Sequence, residues 1–367
     1  MKHILLVGIV GFCSIGLFGQ TKEKDWILGP FSRPENARPI LQKDSSSTFL
    51  DPISQETVHW ESMATFNPAA IAEGDSIYVL YRAEEKLGEK EIGGHRSRIG
   101  MAVSANGIDF TKRPQPVFYP DQDDQKTHEW PGGVEDPRIV ETEDGLYVLT
   151  YTQWNRQVPK LAVATSQDMV NWEKHGPVFQ KYKDGSYHDS ETKSGAIVTQ
   201  IKDGKLVAAK INGKYWMYYG VPHIWLASSD NLIDWVPVET YEGKLAPVLS
   251  PRPGYFDSWL VEAGPPPILT DKGIVVLYNA GNSQNIGVKA LGNRVYTGGQ
   301  ALFDSNEPWK LIDRTDTAFI QPELPFEKSG QYKDGTTFLE GLVLFHGTWY
   351  LYYGTADSMV GAVTAKQ

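Results

Sequence analysis

The sequence predicts an all-β fold, a five-bladed β-propeller, and three observations carry that prediction. A glycine turn followed by an alternating aromatic and aliphatic run recurs five times, at Gly74–Tyr81, Gly145–Tyr151, Gly213–Tyr219, Gly273–Asn279 and Gly347–Tyr353. The glycines are spaced by 71, 68, 60 and 74 residues, a near-regular period that marks a repeat architecture. A second run, in which small residues alternate with larger ones, follows four of the five: Ile99–Ser104, Leu161–Ser166, Ile224–Ser229 and Val360–Thr364. Strands near a crowded axis need this alternation. No helix-period stretch occurs beyond the N-terminal segment, while glycine and proline are frequent, as many short strands joined by tight turns require. Five units of about four strands each make a five-bladed propeller, which gathers residues distant in sequence around one axial pocket.

The chain has 367 residues and a formal charge of −10. The period runs through most of that length, so residues 20–367 read as one domain. An acidic chain without basic runs is a poor partner for nucleic acid or an anionic membrane, and neither partner is expected. Residues 1–19 read as a secretory signal peptide: Lys2 and His3 give a basic start, Ile4–Phe18 an apolar stretch too short for membrane insertion, and Gly19-Gln20 a small-residue exit. The expected location is export, into a bacterial periplasm. The sole cysteine, Cys13, falls inside this segment, so the mature chain carries no disulfide.

Residues 20–60 are polar and contain proline, which predicts an extended arm supplying one strand to close the ring. Three of the small-residue strands run into turns that end on an aromatic, at Phe110, Trp172 and Trp235. Asn106-Gly107, Asp168 and Asp230-Asn231 suit these turns, which read as hairpins packing an aromatic on the blade. The polar stretch Lys181–Ser194 reads as a surface or rim loop.

The sharpest local motif is Pro131-Gly132-Gly133-Val134-Glu135-Asp136-Pro137-Arg138. Pro137 fixes its own φ and biases Asp136 toward extended backbone. Glu135 and Asp136 are then expected on opposite faces, one pairing with Arg138 and the other facing the axis. Glu262 and Glu340 each follow apolar residues, and a carboxylate inside a strand is costly unless solvated or functional. His95, His128, His188, His223 and His346 are scattered without paired ligand spacing. No phosphate-loop or dinucleotide fingerprint occurs, so no metal or cofactor is expected.

Within this five-fold repeat, the Glu-Asp-Pro-Arg motif resembles glycoside hydrolase family 130, the β-mannoside phosphorylases and β-mannosidases. Phe66–Ala70, Leu80–Glu84, Phe256–Ser258 with Gly264–Pro267, and Tyr353–Asp357 extend the resemblance over nearly the whole mature chain. It implies that Asp136 is the catalytic acid, acting through a hydroxyl of the bound mannose. It implies too that Arg82 and Asp357 hold that mannose, with Asn67 and Arg138 in the same motifs. The family's phosphorylases carry a lysine and a His-Arg pair that cradle phosphate. This chain retains Lys210, but Tyr219-Gly220 stands in place of the pair. A phosphate dianion needs charge-assisted donors. Glu262 and Glu340 are new carboxylates by the same comparison, and either could serve as the base that activates water. The expected function is therefore exo-acting, inverting hydrolysis of β-mannoside oligosaccharides or glycans. A phosphorylase of the same family and a non-catalytic sugar-binding propeller are the alternatives.

Overall fold

The computed structural model describes residues 24–88, 93–187 and 190–367; the signal-peptide segment 1–19, with Cys13, lies outside them. Five antiparallel blades follow in chain order. The first is Ala64–Glu73, Ser76–Glu85, Arg96–Ser104 and Thr111–Lys112. The second is Gly133–Glu141, Tyr147–Trp154, Pro159–Ser166 and Trp172–Pro177. The third is Ala196–Ile197, Lys214–Tyr219, Trp225–Ser229 and Trp235–Pro237. In the fourth, Leu260–Ala263 and Ile268–Thr270 both pair with Gly273–Gly281, followed by Tyr296–Phe303 and Leu311–Arg314. The fifth is Thr337–Phe345, Thr348–Thr355 and Met359–Lys366. Among the described residues the one α-helix is Lys126–Glu129, which carries His128, and no helix is long and apolar enough to cross a membrane.

The expected closing strand comes from the N-terminal arm. Leu41 pairs with Val360, and Ser32 exchanges two 2.9 Å backbone hydrogen bonds with Thr364. Parallel contacts join neighbouring blades: Ser97 with Gly133, Val207 with Glu141, and Gln200 with Leu269.

The repeated tyrosine has a repeated job. In blades one, four and five it stands directly across from a glycine on the next strand: Tyr81 from Gly100, Tyr278 from Gly299, Tyr353 from Gly361. A Cβ on any of these glycines would strike the tyrosine ring; in blade two Ala162 fills the place opposite Tyr151. Each of these four hydroxyls then donates to a buried carboxylate: Tyr81 to Glu61 at 3.2 Å, Tyr151 to Glu129 at 2.9 Å, Tyr278 to Asp257 at 2.9 Å and Tyr353 to Glu327 at 2.7 Å. Lys112, Lys174, Arg314 and Arg33 respectively neutralise those acids. Pairing a buried charge while satisfying its remaining lone pairs avoids the desolvation cost that would otherwise apply. The blade cores thus close around four copies of one polar cluster.

The predicted hairpin turns also repeat. The Ser104 hydroxyl accepts from the backbone N–H groups of Asn106 and Gly107, and the Asn106 side chain accepts from those of Ile108 and Asp109. Ser166 with Asp168, and Ser229 with Asn231, do the same. These side chains are spent on their own turns.

Candidate active site

The first strands of the blades converge on a cavity of about 330 Å³, and each blade brings a polar group to it. Two of these strands carry a bulge where that group stands, Phe66/Pro68 around Asn67 and Glu135/Arg138 around Asp136, and a third bulge, Leu339/Gly341, holds Glu340 behind the cavity. A bulge inserts one residue and re-aims its side chain. Asn67 and Asp136 adopt φ of 46° and 48°, a left-handed conformation that non-glycine residues hold only where the surroundings enforce it. Asp357, in the turn after Thr355, has φ of 50°. The proline rule that favoured extended backbone at Asp136 is overridden by this bulge.

Arg82 organises the floor. Its guanidinium donates to Asp136 Oδ1 at 3.0 Å, Glu84 Oε1 at 2.7 Å, Glu135 Oε1 at 2.9 Å and Ser97 Oγ at 3.1 Å. Asn67 Nδ2 donates to the same Asp136 oxygen at 2.8 Å. Gly354 backs Asn67 so closely that a Cβ there would collide with its amide oxygen. The other Asp136 oxygen faces the Lys193 ammonium at 3.7 Å, and Glu262 Oε1 faces that ammonium at 3.6 Å while accepting from the Ser194 hydroxyl. Neither carboxylate oxygen is more than 3.7 Å from the ammonium, so the two are separated by no more than twice that distance.

The expectation that Glu135 or Asp136 pairs with Arg138 is corrected. Both carboxylates go to Arg82, because the Asp136 bulge breaks the alternation that would have separated them. Arg138 is buried behind the cavity. It donates to the carbonyls of Asp136 (3.1 Å), Ala263 (2.9 Å) and Gly264 (3.2 Å) and meets Glu340 Oε1 at 2.7 Å. Arg138 and Glu340 are therefore not among the lining residues, whereas Asn67, Arg82, Asp136, Glu262 and Asp357 are. Lys210 also stands apart: it is exposed on the hairpin opposite Tyr215, its ammonium 4.8 Å from that ring. Among the described residues the lysine lining the cavity is Lys193, inside the stretch expected to be a surface loop. No periodicity marks it; its only signal is the adjacent Ser194-Gly195-Ala196, where the third blade begins. Tyr219 is buried at 2% exposure and likewise lies outside this cavity. The walls above the polar floor are aromatic, including Phe66, Trp154, Tyr296, Tyr332 and Phe338.

Six carboxyls (Glu84, Glu135, Asp136, Glu262, Glu340 and Asp357) share this region with three cations, Arg82, Lys193 and Arg138. Such a surplus cannot all ionise at low cost. Burial pushes Glu135 up to about 7 against the pull of Arg82. Burial, with the charge of Asp136 adding to it, likewise lifts Asp357 to about 7. Burial raises Glu340 far above the usual range. Asp136 goes the other way: burial would raise it, but Arg82, Lys193 and the Asn67 hydrogen bond together hold it well below the usual carboxylate range. The lysine ammonium is raised, chiefly by Glu262. The cluster thus stores protons near neutrality beside one firmly ionised aspartate.

An aromatic-walled cavity with a floor of paired carboxylates, at the axis of a propeller, is the site of a carbohydrate-active enzyme, and the likenesses to known proteins agree. The family model for glycoside hydrolase family 130, described as beta-1,4-mannooligosaccharide phosphorylase, matches residues 32–367. The chain is 34% identical to the 1,2-beta-oligomannan phosphorylase of Thermoanaerobacter sp. (strain X514) over 88% of its own length and 95% of that protein. One similar solved structure was reported with the statement that the GH130 family of mannoside phosphorylases contains glycoside hydrolases that target beta-1,2 mannosidic linkages in Candida mannan. It is 50% identical with a TM-score of 0.91, covering 94% of this chain and 97% of that one. A glycosyl hydrolase from Bacteroides ovatus is 51% identical with a TM-score of 0.91, covering 94% and 95%. The chain belongs to glycoside hydrolase family 130.

Proposed function

We propose that the protein removes mannose from the non-reducing end of β-1,2-linked mannosides by inverting hydrolysis. The observation that carries this reading is the pair Asp136 and Glu262 facing each other across Lys193 in one cavity. An inverting hydrolase places an acid and a base about 6.5–9.5 Å apart with room for water between them. The bound set by Lys193 permits only the short end of that range, so the pair is compatible with an inverting spacing. Asp136 delivers the proton to the leaving oxygen through a mannose hydroxyl, drawing on the proton store that Arg82 binds together from Glu135 and Asp136, with Asp357 close by. In such a coupled set the proton belongs to the group as a whole, and sugar binding decides where it rests. Glu262 takes a proton from the attacking water. Arg138 and Glu340 brace the Asp136 and Ala263 backbone from behind. The basic-apolar leader at 1–19 directs this activity outside the cytoplasm.

Phosphorolysis is the second reading, and the phosphorylase relative of Thermoanaerobacter favours it. The charge at the site argues the other way. Among the described residues, the two cations that line the cavity are already committed to carboxylates, Arg82 to three and Lys193 to two, while Lys210 lies outside it. A phosphate dianion would enter against a surplus of negative charge. The β-1,2 linkage is taken from what the similar proteins are described as acting on. The test is a product assay on β-1,2-mannobiose with and without inorganic phosphate. Free mannose at an unaltered rate is expected; mannose 1-phosphate as the main product would establish phosphorolysis instead.

A further inference from the structure

Asp357 reaches the cavity from a costly backbone. Ala356 and Asp357 are consecutive residues in the left-handed region, with φ of 46° and 50°, and non-glycine residues keep that conformation only where neighbours enforce it. The segment that lies on this turn is 329–332, which belongs to no blade strand. The Tyr332 N–H donates to the Ala356 carbonyl at 3.0 Å, and the Gln331 N–H donates to the Ser358 hydroxyl at 3.0 Å. Gly330 permits this approach, since a Cβ there would strike the Ala356 carbonyl and the Ser358 hydroxyl.

The Gln331 side chain reaches further in. Its Nε2 donates to the Asp357 carbonyl at 2.8 Å and to Glu84 Oε2 at 2.8 Å. The other Glu84 oxygen accepts from Arg82 at 2.7 Å, and Arg82 also holds Glu135 and Asp136. One amide thus joins the turn that presents Asp357 to the ion-paired floor. Gln331 does not line the catalytic cavity, so it acts through these two partners. A hydrogen bond donated to a carboxylate favours its charged form over the acid. The charge of Glu84 in turn adds to the effect of burial at Glu135 and Asp357, and both are raised. Among the described residues, the charged groups gathered here are Arg82 on the Glu84 strand, Glu135 and Asp136 from the second blade, Lys193 ahead of the third and Asp357 from the fifth. The carboxyls outnumber the cations, so protons are shared among them.

We infer that Gln331 is a positioning residue for mannoside cleavage: its amide holds the Asp357 turn in place and keeps the shared proton off Glu84, leaving it to Glu135 and Asp357. The inference rests on the mannoside-cleaving reading above and holds for water or phosphate as the nucleophile.

The experiment follows kcat/KM for β-1,2-mannobiose against pH in Gln331→Met, which keeps the length of the side chain and loses both donated bonds. Loss of a hydrogen bond to a charged group changes the equilibrium it supports by roughly tenfold or more. Without its donor, Glu84 competes for the shared proton near neutral pH. There kcat/KM is expected to fall about tenfold, with KM rising as the Asp357 turn loosens. Toward alkaline pH Glu84 no longer competes, so the gap between the two profiles should narrow. Ser358→Ala is the control: it removes the acceptor of the Gln331 N–H but leaves the amide donors, so any loss it causes should be one factor at every pH. Gln331→Ala repeats the measurement if the methionine variant does not fold. A folded Gln331 variant with no loss, or with the same loss at every pH, overturns the inference while the proposed function stands. Should the unaltered protein leave mannobiose intact with and without phosphate, the proposed function fails and the inference falls with it.

Discussion

Replacing Glu262 by alanine tests the mechanism most directly. The structure gives Glu262 two contacts, the Lys193 ammonium at 3.6 Å and the Ser194 hydroxyl, and a place in the cavity wall. Removing it leaves Lys193 held by Asp136 alone, so the floor keeps its cation and loses the carboxylate that faces the water. General acid–base assistance contributes about 10²–10⁴ in rate, and a loss of that size in kcat is expected for Glu262→Ala on β-1,2-mannobiose. The truncation opens space beside Lys193 that azide or formate can enter, and either anion should restore part of the rate. Glu340→Ala behaves differently. Glu340 is fully buried, meets Arg138 at 2.7 Å and is not exposed to the cavity. Its loss strands a buried guanidinium, which costs about 3–5 kcal/mol, so the thermal midpoint should drop and no anion should rescue turnover. Rescue of Glu340→Ala with none in Glu262→Ala would reverse the two roles. Near-normal turnover in Glu262→Ala would refute the base assignment, and the hydrolase reading with it.

Asp136→Asn keeps shape while removing the carboxylate that passes the proton on to the leaving oxygen, so turnover should fall by about 10²–10⁴ with the circular dichroism spectrum intact; near-normal turnover would take Asp136 out of the mechanism. Asp357 has a folded-state pKa raised to about 7, above its unfolded value. Its contribution to stability is therefore present at low pH and is lost as pH climbs through the interval up to about 7. Asp357→Asn removes that penalty and should gain about 2–4 kcal/mol relative to the unaltered protein on going from pH 4 to pH 8, read from denaturant midpoints at each pH; parallel pH profiles for the two proteins would contradict the shift. Gly354→Ala drives a methyl into the Asn67 amide and should free Asp136 from its 2.8 Å partner. A tenfold or larger loss of kcat/KM, with a stability cost of about 1–3 kcal/mol, is expected, and a fully active variant would show that Asn67 does not position Asp136.

The architecture was legible because its signal is repeated. One glycine turn and one tyrosine per blade, with a small residue across from that tyrosine on the next strand in blades one, two, four and five, report a packing constraint that recurs around the ring. The arm strand was legible too, because a ring needs a closure and residues 20–60 had no other partner. Asn67, Arg82, Asp136, Glu262 and Asp357 could all be named from local motifs, and all line the cavity. What failed was non-local. Arg138 sits next to Asp136 in sequence, yet its charge is matched by Glu340 from the fifth blade, which no local pattern links to it. Lys210 looked like a remnant of a cationic site, but its strand turns it toward Tyr215 and solvent. Lys193 carried no pattern at all, because a residue placed by the irregular approach to a blade has no period to betray it. The direction of the Asp136 side chain was misread because the bias set by Pro137 is weaker than the bulge that overrides it.

The closure of the ring has a temporal consequence. Blade five takes its outer edge from residues 32–42 and its remaining strands from residues 337–366. Contacts of such long sequence separation form late, because a long loop must be closed before they yield any gain. The earlier blades can assemble from near-neighbour hairpins, while the fifth waits for the two ends of the described chain to meet. Asp357 belongs to that last blade, and so does Glu340, which holds Arg138 in place. An unclosed ring would therefore possess four blades and no working centre. During refolding, recovery of sugar cleavage should lag behind recovery of strand content, and the length of that lag measures how long the chain takes to find its own beginning.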